Sequence, residues 1–465
     1  MNFPETKRPD VEETNNDSNR SHPDLPPEHH KRRPKRRHRQ RKKRSDVEKT
    51  NNSTGVPPEL PPELHEIIID ELEGEEDALK QCALTCRFYR HLAQRLLFKS
   101  VELPFADNYD LAYNFLKILD ASPHIGDYVK SVSSSYVWRR CNYKSATFNQ
   151  SLAAQTQAQP ENPLSLVLPT LINVDNLAVR RTTDIRYDFP RSSQFMAKCE
   201  SLLSLTLFNV RDVPLEIFNH LQRLEKLKLE VVYFLSDSAD KHVMKINPCQ
   251  LKHMELFDVH IQRDSIYPFF MARKFGFGGL ESFTICIIRF GSIAKSLPVF
   301  EAAKLLIRSN SASLKVLDVM ITGNEPVILP NDQPVFDVSK MPLLEEWTLG
   351  GVFRLGGGTV EAVLVSLGWL SRHLETIPAG KRFKSITLRP EMCGVSKLMD
   401  IEWDVESLKY FENLIVEKVL PSTESFSINF HILAYIGYQE PAKQLLRKLL
   451  PTLYELNLMK FIDYD

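Results

Sequence analysis

A short apolar pattern, L-x-x-L-x-L with aliphatic or aromatic substitutes, recurs along this 465-residue chain and limits its folds more than any other feature. Clear copies are Leu202, Leu205, Leu207; Leu224, Leu227, Leu229; Leu251, Met254, Leu256; Leu280, Phe283, Ile285; Leu314, Leu317, Val319; Leu344, Trp347, Leu349; Phe383, Ile386, Leu388; and Leu453, Leu456, Leu458. Weaker copies lie at Val174, Leu177, Val179 and at Phe426, Ile428. The closing positions of each copy alternate with polar residues, which is the period of a strand with one face buried. A unit this short cannot bury its own apolar face, so neighbouring units must stack and share one core. Stretches with helical periodicity separate the copies at 111–119, 298–307, 360–374, 408–420 and 442–450. Strand then helix, repeated, predicts an α/β fold with short parallel strands inside and helices outside, curved into an arc because helices occupy more width than strands.

Over residues 104–465 the series resembles an irregular, degenerate leucine-rich-repeat solenoid. The steps between first positions are 22, 27, 29, 34, 30, 39 and 70 residues. Strict repeats run about 20 to 29, so the returns here are long and the last step spans two units. Alternation turns the residues between the leucines onto the inner face of the arc. Lys226, Lys228, His253, Glu255, Glu346 and Thr348 are the members of that surface expected to hold a protein target, although any half-exposed sheet shows a similar mixture. The intervals 150–162, 183–198 and 264–279 read as loops able to carry specificity.

Ahead of the repeats, residues 57–103 form a different unit. Leu64, Ile68 and Leu72 recur at spacing four with Ile67 and Ile69 beside them, so the first stretch is helical with an apolar face. Pro61 and Pro62 suit its first turn, and Glu63 and Glu66 lie near the positive end of its dipole. A run of one glycine and four acids at 73–77 interrupts the pattern, with Asp77 placed to cap a second helix. That second helical stretch carries Leu79, Cys82, Ala83, Cys86, Tyr89, Ala93, Leu96 and Leu97 at steps of mostly three and four. Helices this short enclose little core, and three successive isoleucines put apolar surface on more than one side. The module therefore calls for a covering partner.

This module resembles the F-box family in its fungal form. Leu60-Pro61-Pro62-Glu63-Leu64 matches the opening L-P-x-E-L, and Ile68, Ile69 and Leu72 fall on I-(L/F)-x-x-L. Leu79, Ala83, Leu84, Cys86 and Arg87 follow the segment ending A-L-V-C-R, and Phe98 falls near the closing Leu-Trp pair. Thr85 stands where valine is usual and Tyr89 where tryptophan is usual; tyrosine keeps an aromatic body with less buried area. The resemblance implies docking onto the Skp-type adaptor of a cullin-RING (SCF-type) ubiquitin ligase through Leu60, Pro61, Leu64, Ile68, Ile69, Leu72, Leu79, Leu84 and Tyr89. A helical hairpin that merely caps the repeats is the alternative.

Charge is segregated along the chain. Lys and Arg total 59, as do Asp and Glu. The run KRRPKRRHRQRKKR at 31–44 holds 11 of the basic residues, so 48 remain against 59 acids elsewhere. Residues 1–56 are nearly devoid of aliphatic side chains and cannot offset the entropy of ordering, so this arm reads as disordered. Lys31, Arg32, Arg33, Lys35, Arg36, Arg37, Lys42, Lys43 and Arg44 form a cluster of the kind that serves as a nuclear import signal. A solvated tail and phosphate binding are the alternatives; the absence of interleaved aromatic residues ranks nucleic acid last. No window reaches the roughly 18 unbroken apolar residues of a membrane span and no signal peptide opens the chain, so nuclear or cytoplasmic residence is expected. The seven scattered cysteines fit reduced thiols better than a disulfide framework.

No catalytic constellation emerges. G-x-x-x-x-G-K-[ST], H-E-x-x-H, G-x-S-x-G and paired C-x-x-C are all missing. Ser292-Ile293-Ala294-Lys295 fits S-x-x-K without its companion motifs, and Gly356-Gly357-Gly358 lacks the Lys-Ser or Lys-Thr of a phosphate cradle. Cys82 and Cys86 have no further ligands at zinc spacing. The sequence thus reads as a non-enzymatic substrate receptor with no metal or cofactor, acting by proximity in the ubiquitin conjugation pathway. The rivals are a nuclear leucine-rich scaffold and a polyanion-binding protein.

Overall fold

The structure, a computed structural model, describes residues 60–104, 110–136, 163–181, 192–211, 213–214, 216–234, 250–257, 279–289, 303–323, 336–354, 361–393, 405–433 and 439–463. Residues 60–465 make one compact unit. The arm at 1–56 with its basic run, the S-x-x-K fragment, the triple glycine and the loops at 150–162 and 264–278 lie outside the described residues.

The apolar pattern becomes twelve strands: β1 (Ser100–Pro104), β2 (Ser131–Tyr136), β3 (Asn176–Arg181), β4 (Ser204–Phe208), β5 (Lys226–Glu230), β6 (His253–Phe257), β7 (Ser282–Arg289), β8 (Val316–Gly323), β9 (Glu346–Arg354), β10 (Phe383–Cys393), β11 (Thr423–Leu433) and β12 (Met459–Asp463). They form one parallel sheet in strict chain order. Register lines up the motif positions from strand to strand: Leu205, Leu227, Met254, Phe283, Leu317, Trp347, Ile386 and Phe426 stand side by side. A one-residue slip anywhere would turn that row to the wrong face. Each full burial of such a side chain contributes about 1.5–3 kcal/mol.

Parallel crossovers are right-handed in nearly all cases, so steps that always move to the next strand on the same side put the described return helices on one face. Phe115, Leu164, Phe195, Phe218, Leu306, Leu370, Phe411 and Leu446 come from those returns and join the sheet leucines in one continuous core. Side-chain ties repeat as well: Ser201 Oγ donates to the Val174 carbonyl and Ser313 Oγ to that of Leu280. Asn310, fully buried, donates to the Leu306 carbonyl and accepts the Leu280 N–H, joining the helix at 303–309 to the start of β7.

From β2 to β10 each strand begins with a doubled hydrogen bond. The carbonyl just ahead of one strand accepts two successive amides of the next: Lys99 from Lys130 and Ser131, Lys130 from Asp175 and Asn176, and so on to Glu345 from Lys384 and Ser385. The side chains at this position alternate in charge from β5 to β10: Glu225, Lys252, Glu281, Lys315, Glu345, Lys384. They pair as Lys252–Glu225 (3.1 Å), Lys315–Glu281 (2.8 Å) and Lys384–Glu345 (2.5 Å).

Several expectations are corrected. Leu453, Leu456 and Leu458 are not a strand: Pro451–Glu455 is a helix. Proline suits its first turn, and the buried Glu412 carboxylate accepts the Leu453 N–H at 3.1 Å. The strand comes later, at Met459. The sheet begins at Ser100, ahead of residue 104, with two strands that precede the first recognised copy. Ser193–Cys199, read as loop, is a helix capped by the Ser192 hydroxyl, which accepts the Phe195 N–H.

Candidate functional site

Two surfaces stand apart from the core. The first lies on three helices, α1 (Pro62–Asp70), α2 (Glu76–Thr85) and α3 (Arg87–Leu97). Pro61 and Pro62 start α1. Asp77 falls inside the first turn of α2, whose cap position is Glu75. The second helical stretch is two helices, because Cys86 is extended and its Sγ accepts the Tyr89 N–H at 3.5 Å, opening α3.

These helices have a small core of their own. Ile69, Leu79, Leu92 and Ala93 are buried together, with Leu72, Cys82, Ala83, Tyr89, Leu96 and Leu97 packed around them. Polar ties reinforce it: Tyr89 hydroxyl with His65 Nδ1 at 2.7 Å, Arg95 with Asp70 at 2.8 Å and Lys99 with Glu73 at 2.5 Å. On its far side α3 meets the repeats through a His91–Tyr128 hydrogen bond.

The nine residues that the F-box resemblance assigns to adaptor binding therefore separate. Leu64 is 42% exposed, Ile68 48% and Leu84 74%, and Leu60 and Pro61 are exposed too. Leu64 and Ile68 lie one turn apart on α1, and Leu60 stands two residues ahead of the helix. Leu72 and Tyr89 are half-buried. Ile69 and Leu79, at 2% and 3% exposure, have no surface to offer a partner and hold the helices to one another instead. Ile67 and Phe88, which the signature does not single out, are exposed, and the Phe88 ring lies 5.8 Å from that of His65. Large aliphatic side chains left bare on a folded module are one sign of a docking surface.

The second surface is the polar face of the sheet. Lys226 and His253 are adjacent in one cross-strand row, Lys228 and Glu255 in the next. Lys228 Nζ lies 2.9 Å from the Glu255 carboxylate and 4.8 Å from the centre of the Phe257 ring. Glu346 and Thr348 continue the same rows on β9, three strands from β6 and so about 14 Å away at ordinary strand spacing. The six residues expected to hold a target form two groups, not one.

Spanning the second group, from β8 to β10, lies a feature that no sequence pattern singles out. Arg389 on β10 reaches across β9 to Asp318 on β8, Nη1 to Oδ2 at 3.3 Å. The residue it crosses is Gly350, which stands beside Met320 and Arg389 in register. A Cβ there would come within 3.0 Å of the Arg389 carbonyl oxygen and 3.1 Å of its Cβ. Burial pushes the Asp318 carboxyl above its ordinary pKa, Arg389 pulls it back and Glu255 adds to the rise. Burial also lowers the His431 pKa, helped by the Arg389 charge, so this ring is neutral near pH 7.

Among the described residues no group of three or more His, Cys, Asp and Glu could hold a metal ion. Cys199 is buried, and desolvation first, then the Glu200 charge, pushes its thiol up to about 12, far from a reactive thiolate. Among the described residues no helix is long and apolar enough to cross a membrane. Comparison with protein-family models, with curated proteins and with solved structures gives no match.

Proposed function

We propose that this chain is a non-catalytic substrate receptor of a cullin-RING ubiquitin ligase: its three N-terminal helices act as an F-box that holds a Skp-type adaptor, and its leucine-rich-repeat-like sheet holds a protein target. The observation that carries this reading is the bare apolar stripe of Leu64 and Ile68 on α1, with Leu60, Ile67 and Leu84 also exposed on the same module. Because Ile69, Leu79, Leu92 and Ala93 already close a core beneath it, the stripe is not needed to fold the helices, and covering it releases apolar surface from water. The ordered match to the F-box signature supplies the partner's class. Tyr89, in place of the usual tryptophan, keeps its aromatic body in the module and ties it to His65.

Co-expression with a Skp-type adaptor is expected to yield a stable complex. Leu64→Asp combined with Ile68→Asp should abolish it while the circular dichroism melt of the repeat region stays unchanged. Co-purification that survives this double change refutes the reading. The basic run serves in this scheme as an import address, so removing residues 31–44 should move the protein to the cytoplasm; an unaltered distribution discards that role.

A further inference from the structure

The alternating charges at the strand starts continue past β10. Between the paired positions Phe383–Thr423 and Ser385–Ser425, Lys384 stands opposite Glu424. From β5 to β11 the signs therefore run Glu225, Lys252, Glu281, Lys315, Glu345, Lys384, Glu424 without a break. These charges act on both sides. The Lys315 hydrogen bond and charge hold the Glu281 carboxyl below its usual pKa, and Lys252 on the preceding strand adds to the shift. Glu345 raises the Lys384 pKa in the same way, and Glu424 adds to it from the following strand. Strands next but one always carry like signs, as Glu225 and Glu281 do, or Lys252 and Lys315.

The other features that recur in each unit do not tell one neighbour from the next. The motif row offers a large apolar side chain in every strand, from Leu227, Met254 and Phe283 to Leu317, Trp347, Ile386 and Phe426. The doubled hydrogen bond that opens β5 to β10 is made by backbone alone. Both would serve a strand that passed over its neighbour and paired with the one beyond. The connecting chain does not forbid this, because the cost of closing a loop grows only with the logarithm of its length. Such a pairing leaves one unit outside the core, so it is a trap on the way to the native sheet and not a rival of it. Misassembly of this kind is a characteristic failure of repeat chains.

We propose that the charge ladder is a neighbour-selecting device of the folding chain: it draws each strand from β6 to β11 to the strand before it and repels a strand that arrives one unit out of turn. Opposite charges across a strand pair attract and like charges facing each other destabilise the pair. At about 0.1 M salt the interaction reaches about 10 Å, roughly two strand spacings, so it sorts approaching strands before their backbone bonds lock. Exposed ion pairs are worth little to the finished fold. The ladder's effect therefore lies in the route to the sheet, not in its final stability.

The test is refolding of the full chain from urea into about 0.02 M or about 1 M sodium chloride. Interrupted refolding counts the molecules that reach the native state only through a slow phase. Prolines contribute the same slow phase to every variant, so differences report the ladder. Lys252→Glu combined with Glu281→Lys keeps the net charge and gives positions 225 and 281 opposite signs. At low salt this exchange should about double the slow fraction, and carbodiimide treatment of the trapped molecules should join positions 225 and 281. High salt should lower the slow fraction of the exchanged chain and raise that of wild type, the two converging as the Debye length shrinks to about 3 Å. Reversing every member from Glu225 to Glu424 restores the alternation with all signs exchanged and should refold like wild type. Should the exchanged chain fail to fold, the inverted ladder and the wild-type salt dependence still decide the matter. Equal slow fractions in wild type and the exchanged chain at low salt, a wild-type fraction unmoved by salt, or an inverted ladder with an enlarged slow fraction would each overturn the proposal.

Discussion

Acid should loosen this protein through one ring, His373. It is fully buried and satisfied as a neutral tautomer: Nδ1 lies 2.8 Å from the Trp369 carbonyl and Nε2 accepts the Phe336 N–H at 3.4 Å. A second proton on Nε2 would set donor against donor beside the Trp369 ring, whose centroid is 4.4 Å away. Burial lowers the pKa from 6.5 to about 4, the Trp369 hydrogen bond resisting and the Arg372 charge assisting. The unfolded chain binds this proton near 6.5 and the folded one only near 4. The contribution is therefore complete above pH 6.5, is lost as pH falls toward 4, and at 1.36 kcal/mol per unit amounts to about 3 kcal/mol. Carboxylates titrate over the same range, so the measurement is a difference. Urea unfolding of wild type and His373→Gln, monitored by tryptophan fluorescence from pH 7.5 to pH 4, should show the gap between them shrinking by about 3 kcal/mol. Parallel stability profiles would refute the reasoning.

Three further outcomes are expected. Trp347→Ala should cost about 3–5 kcal/mol, as for any large core side chain. Trp347→Phe should cost under about 1 kcal/mol, since the indole N–H it removes is buried without a partner among the described residues; equal midpoint losses in denaturant would contradict this. Val231 has φ 53°, a left-handed conformation also taken by Asn209 after β4. Val231→Asn should therefore stabilise by about 1 kcal/mol, and an unchanged or lower thermal midpoint would show that no strain is stored there. Glu281 and Lys315 form one step of the alternating ladder, and the ammonium holds the Glu281 carboxyl below its usual pKa. Reversing either charge alone should lower the melting temperature and reversing both should recover only part of the loss, since the reversed pair then faces like charges at Lys252 and Glu345; additive losses in the double-mutant cycle would exclude a pairwise interaction.

The sheet is legible in the sequence at seven of the eight clear copies, from Leu202 to Leu388, which fall on β4 to β10. β1 has the pattern too, as Phe98, Val101 and Leu103, but Phe98 reads equally well as the end of the helical module. β2 offers Val129 and Val132 and then Ser134, a buried polar group that hides the alternation. Leu453 and Leu456 mislead for a different reason: spacing three is also one turn of a helix, and the choice is made by Glu412, distant in sequence. The apolar stripe of α1 is readable, yet periodicity alone does not say that Ile69 turns inward while Ile67 and Ile68 stay out. Arg389 is invisible for the same reason, because its meaning depends on a glycine and an aspartate from two other strands. The alternating charges ahead of β5 to β10 can be read from the sequence by aligning the residue next after each first leucine.

In the sheet, each strand is hydrogen-bonded to its predecessor and successor and to no other. Units joined only to nearest neighbours behave as a one-dimensional chain of weakly coupled elements. Pulled from its two ends, such a molecule should surrender one strand at a time, each rupture baring a fresh edge and a tether of one unit's contour length. Duplication or loss of a whole unit would be felt only at the two seams it touches, which gives an evolving lineage a means of changing the reach of its surface without redesigning the rest.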